Sequence, residues 1–221
     1  MIELPDFDKA FEYENNFYLS CDTTRIGKLI AHYELYKMTL DVPGAIIECG
    51  VFKGASLSRF VMLRDMLGHT HSKKIIAFDA FGEFPETAYA DDQKFRKKFI
   101  EEAGEEGIGR DQMMEVLTRK GLDRHMDLVE GDITKTVPEY LDRHPALKIS
   151  LLNLDTDVYE SSSAVLEYLY PRLLKGGVLI LDDYGTFPGE TAAADEYFKD
   201  KNVEIRKFGF CMTPSYVVKT G

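Results

Sequence analysis

Two pairs of aspartates follow two apolar runs in the second half of this 221-residue chain. Asp155 and Asp157 come after Ile149–Leu154, and Asp182 and Asp183 come after residues 178–181. Both runs have the length and composition of strands buried on both faces of a parallel sheet. Between them Val165, Leu166, Leu169, Leu173 and Leu174 recur at helical spacing, Ser161–Ser163 offer an N-cap and Gly176-Gly177 a stop. A right-handed crossover makes the strands parallel and brings the four carboxylates to one sheet edge. That edge is where open α/β sheets bind ligands. Acids crowded there raise one another's pKa unless positive charge sits among them. Residues 149–184 contain no Cys or His, so the donors are all oxygen, which favours a hard cation, magnesium ahead of calcium or manganese. The plainer alternative, an Asp157 helix cap and a solvated Asp182-Asp183 turn, accounts less well for acids on consecutive strand ends.

Three further acids sit at expected strand tips. Glu48 precedes the turn Gly50-Val51-Phe52-Lys53-Gly54, which leads into a helix from about Ser56. Gly50 lets a ligand approach the backbone, and Val51, Gly54 and Ser56 lie where a helix N-terminus offers free N–H groups. The turn is not the dinucleotide G-x-G-x-x-G, because Glu48 stands in place of the first glycine. A carboxylate there suits a cationic amine, Asp79 suits a ribose diol, and Asp132 could accept from an adenine amino group. Together they match the parts of S-adenosyl-L-methionine.

The elements that must position these groups read as alternating strands and helices. A helix is expected from Thr23 or Thr24 to Leu40, and strands at 45–49, 74–78, 127–129 and 149–154. Helices are expected near 137–143 and from Pro188 or Glu190 to Phe198, then a hairpin of 203–207 and 215–219. The pattern predicts an α/β, doubly wound, mostly parallel sheet with one antiparallel strand. Residues 1–42 are read as a helical cap, with the aromatic residues 1–20 packed on the body. The Glu/Lys-rich segment 85–121, broken at Gly104, Gly107 and Gly109, is read as a helical lid or a solvated excursion. All of this fits one domain over 1–221. The five histidines, His32, His69, His71, His125 and His144, have no ligand spacing and are assigned surface or cap roles.

The bulk composition narrows the class. A net charge of −11 argues against a nucleic-acid or anionic-membrane surface. No apolar run reaches membrane-spanning length, and Cys21, Cys49 and Cys211 read as reduced thiols of a cytoplasmic protein.

Residues 44–184 resemble the class I S-adenosylmethionine-dependent methyltransferases, and among them the macrocin O-methyltransferase family, which methylates sugar hydroxyls on antibiotics. The matching segments are 43–51, Asp79-Ala-Phe-Gly-Glu-Phe-Pro85, Leu154-Asp-Thr-Asp-Val-Tyr-Glu-Ser161, Leu169-Tyr-Pro-Arg-Leu173 and 176–184. The resemblance implies a Rossmann-like fold and a magnesium site at Asp155, Asp182 and Asp183, with Asp157 as general base. It further implies a small-molecule acceptor, a sugar hydroxyl; a homo-oligomer is also expected. The chain departs from the family pattern at Asn153, Thr156, Phe52-Lys53 and Ala80, and segment 85–121 lacks a histidine. The expected activity is magnesium-dependent O-methyl transfer to a sugar or sugar-bearing metabolite. The alternatives are a catechol or phenol acceptor, a non-catalytic cofactor-binding protein, or a nicotinamide-dependent oxidoreductase, which the missing glycine fingerprint disfavours.

Overall fold

In the computed structural model, which describes residues 2–221, seven strands join one sheet. They are β1 (Ala45–Cys49), β2 (Ile75–Asp79), β3 (Met126–Glu130), β4 (Ile149–Leu154), β5 (Leu173–Leu181), β6 (Arg206–Lys207) and β7 (Ser215–Val218). Their order is β3-β2-β1-β4-β5-β7-β6. β1 to β5 are parallel, and β7 runs antiparallel to both of its neighbours. The order reverses between β1 and β4, which opens a crevice at the carboxyl ends of those strands.

The helices are α1 (Ala10–Ser20), α2 (Thr23–Lys37), α3 (Ala55–Met66), α4 (Ala90–Ala103), α5 (Arg110–Arg119), α6 (Ile133–Arg143), α7 (Tyr159–Tyr168) and α8 (Pro188–Phe198). Strand alternation sends successive side chains to opposite faces, so each face carries its own core. Ile47, Phe78, Leu152 and Leu179 pack against α6, α7 and α8. Ile46, Ile75, Leu151 and Ile180 pack against Leu35 of α2, Phe60 of α3 and Leu117 of α5. The central strands are therefore buried on both sides and hold their carboxyl-end residues in a rigid frame.

Several elements differ from expectation for identifiable reasons. α7 begins at Tyr159 with Val158 as N-cap, and Ser161 and Ser162 are buried within it rather than capping it. It ends before Pro171, whose ring cannot continue a helix, and a 3-10 turn (Tyr170–Arg172) follows. β5 then starts at Leu173 and runs through Gly176-Gly177, which therefore do not stop a helix. α6 starts a turn early because the Asp132 carboxylate caps it, accepting from the Thr134 N–H at 3.0 Å. At the N-terminus Ile2 and Leu4 pack on the core, but α1 buries none of its residues, so the expected packing of the cap stops short of that helix.

Arg64 of α3 is fully buried and donates to the carbonyls of Arg124 at 2.7 Å, His125 at 2.9 Å and Lys73 at 3.3 Å. It ties α3 to the chain entering β2 and β3. Arg64→Met should leave those carbonyls unpaired and destabilise the protein by about 3 kcal/mol, read as a lower urea midpoint at unchanged slope. A loss below about 1 kcal/mol would contradict this role.

Candidate active site

The carboxyl ends of β1 to β4 line a cavity of about 550 Å³ whose walls include Gly50, Asp79, Asp132, Asp155 and Asp157. Gly50, at φ +91°, is required there: a Cβ would lie 1.7 Å from the Asp155 carbonyl oxygen. The close approach is thus made by the chain's own β4 exit as it passes the turn. Gly54, at φ +83°, caps α3, and a Cβ on it would meet Met113 of α5 at 2.8 Å.

Asp79 lines the cavity, yet its carboxylate already accepts from the backbone N–H groups of Val51 (2.6 Å), Phe52 (3.2 Å) and Phe81 (2.5 Å). It fixes the glycine turn, and Phe52 and Phe81 are held at positive φ on either side of it. Burial raises the Asp79 pKa against those three donors. Asp132 reaches the cavity wall while capping α6 and pairing with Lys135 at 2.9 Å; its bond from the Thr134 hydroxyl lowers its pKa most. Glu48, Val51, Gly54 and Ser56, expected to contact the cofactor, do not line this cavity. Glu48 is fully buried behind the turn, accepts from the Ser56 hydroxyl, and is pushed by burial to a pKa of about 8.

Beyond Asp155 the acids gather. Asp155 and Asp182 leave adjacent strands side by side, since Leu154 pairs with Leu181 and the Asp182 N–H donates to the Leu154 carbonyl at 2.9 Å. Asp155, Asp157 and Asp183 each offer a carboxylate oxygen within 4.8 Å of the others. Burial first, then neighbouring carboxylates, raise all three pKa values, with Asp182 acting most on Asp155 and Asp183, and Asp183 most on Asp157. Asp157 sits at φ +59°, a left-handed conformation uncommon outside glycine. The Glu190 N–H donates to its carbonyl at 3.0 Å, and the Glu190 side chain, itself fully buried, accepts from the Asp183 N–H at 2.9 Å.

Asp182 behaves differently from the other three. Its carboxylate is fully buried and is engaged by the Lys28 ammonium on one oxygen and His32 Nε2 at 3.3 Å on the other. Burial opposes its ionisation, but Lys28 and His32 outweigh burial and hold its pKa well below the usual range. Arg59 contacts His32 Nδ1 at 3.1 Å. A guanidinium only donates, so Nδ1 accepts and Nε2–H faces Asp182. His32 is therefore a buried neutral donor in this network, which corrects its assignment to a surface or cap role. Lys28, Thr24, Asp22, Asp183, Thr186 and Met212 line a second cavity of about 320 Å³. The acid cluster stands between the two cavities.

Segment 85–121 is tied down beside the site. Asp92 of α4 is buried and accepts from the N–H groups of Tyr159 (2.9 Å) and Gly189 (2.6 Å), at the starts of α7 and α8. Glu160 accepts from Ala88 N–H (2.8 Å), Tyr89 N–H (3.2 Å) and the Thr87 hydroxyl (2.9 Å). Lys28, Arg59, Asp92, Glu160 and Glu190 join the site through tertiary contacts that their sequence positions do not mark. The one available signal was the i, i+4 spacing of Lys28 and His32, which places both on one face of α2.

A family model described as macrocin O-methyltransferase (TylF) matches residues 23–207. The chain belongs to this family. A demethyldecarbamoylnovobiocin O-methyltransferase of Streptomyces niveus is 30% identical over 165 residues, covering 71% of this chain and 59% of that protein. From Streptomyces olivaceus, an 8-demethyl-8-(2,3-dimethoxy-alpha-L-rhamnosyl)-tetracenomycin-C 4'-O-methyltransferase is 32% identical over 150 residues, covering 65% and 54%. The chain thus spans less than two thirds of the length of these curated relatives. Among solved structures, the calicheamicin methyltransferase CalS11 superposes with a TM-score of 0.71 at 28% identity, covering 94% of this chain and 84% of that one. The O-methyltransferase NovP, at 22% identity, TM-score 0.76 and coverage of 88% and 80%, shares the fold. The sheet is the Rossmann-like one of these methyltransferases.

The Asp92 contacts make a prediction for this member of the family. Asp92→Ala should cost about 2 kcal/mol and speed amide exchange at Tyr159 and Gly189, because both lose a charged acceptor at a helix start. Unchanged exchange at both amides would show that Asp92 does not hold them.

Proposed function

We propose that the chain transfers the methyl group of S-adenosyl-L-methionine to a hydroxyl of a sugar or sugar-bearing small molecule, assisted by a divalent cation, magnesium. The observation that carries this reading is the convergence of carboxylates, partly buried at Asp155, Asp157 and Asp183 and fully buried at Asp182, from two adjacent strand tips between two cavities. The larger cavity suits the cofactor, with Gly50, Asp79 and Asp132 on its wall. Glu48 supports the turn from behind, so the amine contact expected of it passes to groups on the cavity wall.

The cluster suits a hard cation: its donors are all oxygen, and carboxylate oxygens of Asp155, Asp157 and Asp183 lie close enough to share one ion, with Asp182 beside them at the tip of β5. Asp155, Asp182 and Asp183 would hold it, as the residues at the tips of β4 and β5. Such a cation, when bound, would orient an acceptor hydroxyl and lower its pKa. Asp157 faces the cofactor cavity, where its carboxylate would be placed to take the proton from that hydroxyl. Its left-handed backbone sets the carboxylate's direction, and Glu190 holds that backbone in place. Segment 85–121, pinned through Asp92 and Glu160, acts as a lid that excludes water from the cavity. The exposed Phe11, Tyr18 and Leu19 of α1 support self-association into a homo-oligomer.

Two substitutions separate the roles. Asp182→Asn should weaken magnesium binding and recover turnover in excess metal. Asp157→Asn, which tolerates the left-handed backbone, should keep magnesium affinity and lower turnover by about 10²–10⁴. The assay offers deoxysugar nucleotides, glycosides and catechols as acceptors, with and without EDTA. Full turnover in EDTA, or equal loss of metal from both variants, would contradict the assignment. Amide exchange across 85–121 should also slow when cofactor and acceptor are both bound, and unchanged exchange would exclude a lid.

A further inference from the structure

Lys28 stands out because it brings positive charge to the acid cluster from an element far away in sequence. α2 lies against the loop before β7, where Gly27 leaves room: a Cβ there would meet the Phe210 carbonyl at 3.1 Å and Cys211 Cβ at 3.3 Å. This close approach lets Lys28 reach Asp182, while His32, one turn on, reaches the other oxygen of the same carboxylate. The Lys28 side chain is 23% exposed and Asp182 is not exposed at all, so the pair is poorly screened by solvent. Burial favours loss of the Lys28 proton, but Asp155, Asp182 and Asp183 outweigh it and keep the ammonium charged.

We propose that Lys28 is an internal counter-ion that competes with the divalent cation for Asp182 and thereby sets the cation affinity of the site. This rests on the proposed cation site at Asp155, Asp182 and Asp183. One ammonium balances one carboxylate, while Asp155, Asp157 and Asp183 face one another with carboxylate oxygens close enough to share an ion. A dication drawn to those acids repels the ammonium at short range, in surroundings where charge is weakly screened. Loading therefore requires Lys28 to withdraw from Asp182. Lys28 also lines the second cavity, so a withdrawing ammonium has that cavity to enter. With a cation bound, Lys28 would be presented to the second cavity.

The test uses Mn²⁺ as the probe, with binding followed by electron paramagnetic resonance and calorimetry on the full chain. Lys28→Met and Lys28→Gln should bind Mn²⁺ on the order of tenfold tighter than wild type, because a repelling charge is gone. Lys28→Arg, which keeps the charge, should show no such gain. S-adenosylhomocysteine affinity serves as the check on folding, since Lys28 does not line the larger cavity. In the wild-type protein, saturating Mg²⁺ should raise the reactivity of Lys28 toward acetic anhydride, read by mass spectrometry, a measurement that needs no variant. Equal or weaker Mn²⁺ binding by folded Lys28→Met, or Lys28 reactivity unchanged by Mg²⁺, would overturn the proposal. Failure of wild type and all variants alike to bind Mn²⁺ would overturn the cation site itself, and this inference with it.

Discussion

The structure depends on how it contains negative charge gathered at the ends of two adjacent strands. Asp155, Asp157, Asp182, Asp183 and Glu190 gather where β4 and β5 end, and burial raises the cost of each charge they carry. Among the described residues, Asp182 is the one of these acids paired with a cation, Lys28, and it also accepts from neutral His32. The other acids are held close by backbone constraints: the strand register, the left-handed turn at Asp157, and the Glu190 contact to the Asp183 N–H. A fold that tolerates such a cluster needs a rigid frame, which the two cores on either face of the sheet supply.

The same frame explains why the turn after β1 looks like a ligand loop and acts first as a structural one. Gly50 is small because the β4 exit passes over it, and Asp79 spends its hydrogen bonds on the turn's backbone. Both residues still wall the larger cavity, so the rigidity that shapes the turn also shapes the place where a ligand would lie. The acid cluster closes one end of that cavity and, through Asp183, touches the second.

Much of this was legible in the sequence. Apolar runs followed by acids located β1, β2, β4 and the end of β5, and the order of units gave the doubly wound sheet with one antiparallel strand. What escaped depends on tertiary approach. Lys28 and Asp182 are separated by more than half the chain, and nothing local marks them as partners. His32 looked unremarkable because its role comes from Arg59 on a neighbouring helix. Glu48 looked like a ligand group because strand tips usually open outward, whereas here its side chain turns back to Ser56. Ser161–Ser163 looked like a cap because serine favours caps, but the helix starts earlier and buries two of them in packing.

The central claim, that the strand-tip acids hold a divalent cation while Asp157 stays free for the proton, is tested most directly by anomalous diffraction. Crystals grown with Mn²⁺ and S-adenosylhomocysteine should give one anomalous peak within coordination distance of Asp155, Asp182 and Asp183, with Asp157 outside it and Lys28 withdrawn from Asp182. A peak bounded by Asp155, Asp157 and Asp183 with Lys28 still on Asp182, or no peak at the cluster, would contradict the account.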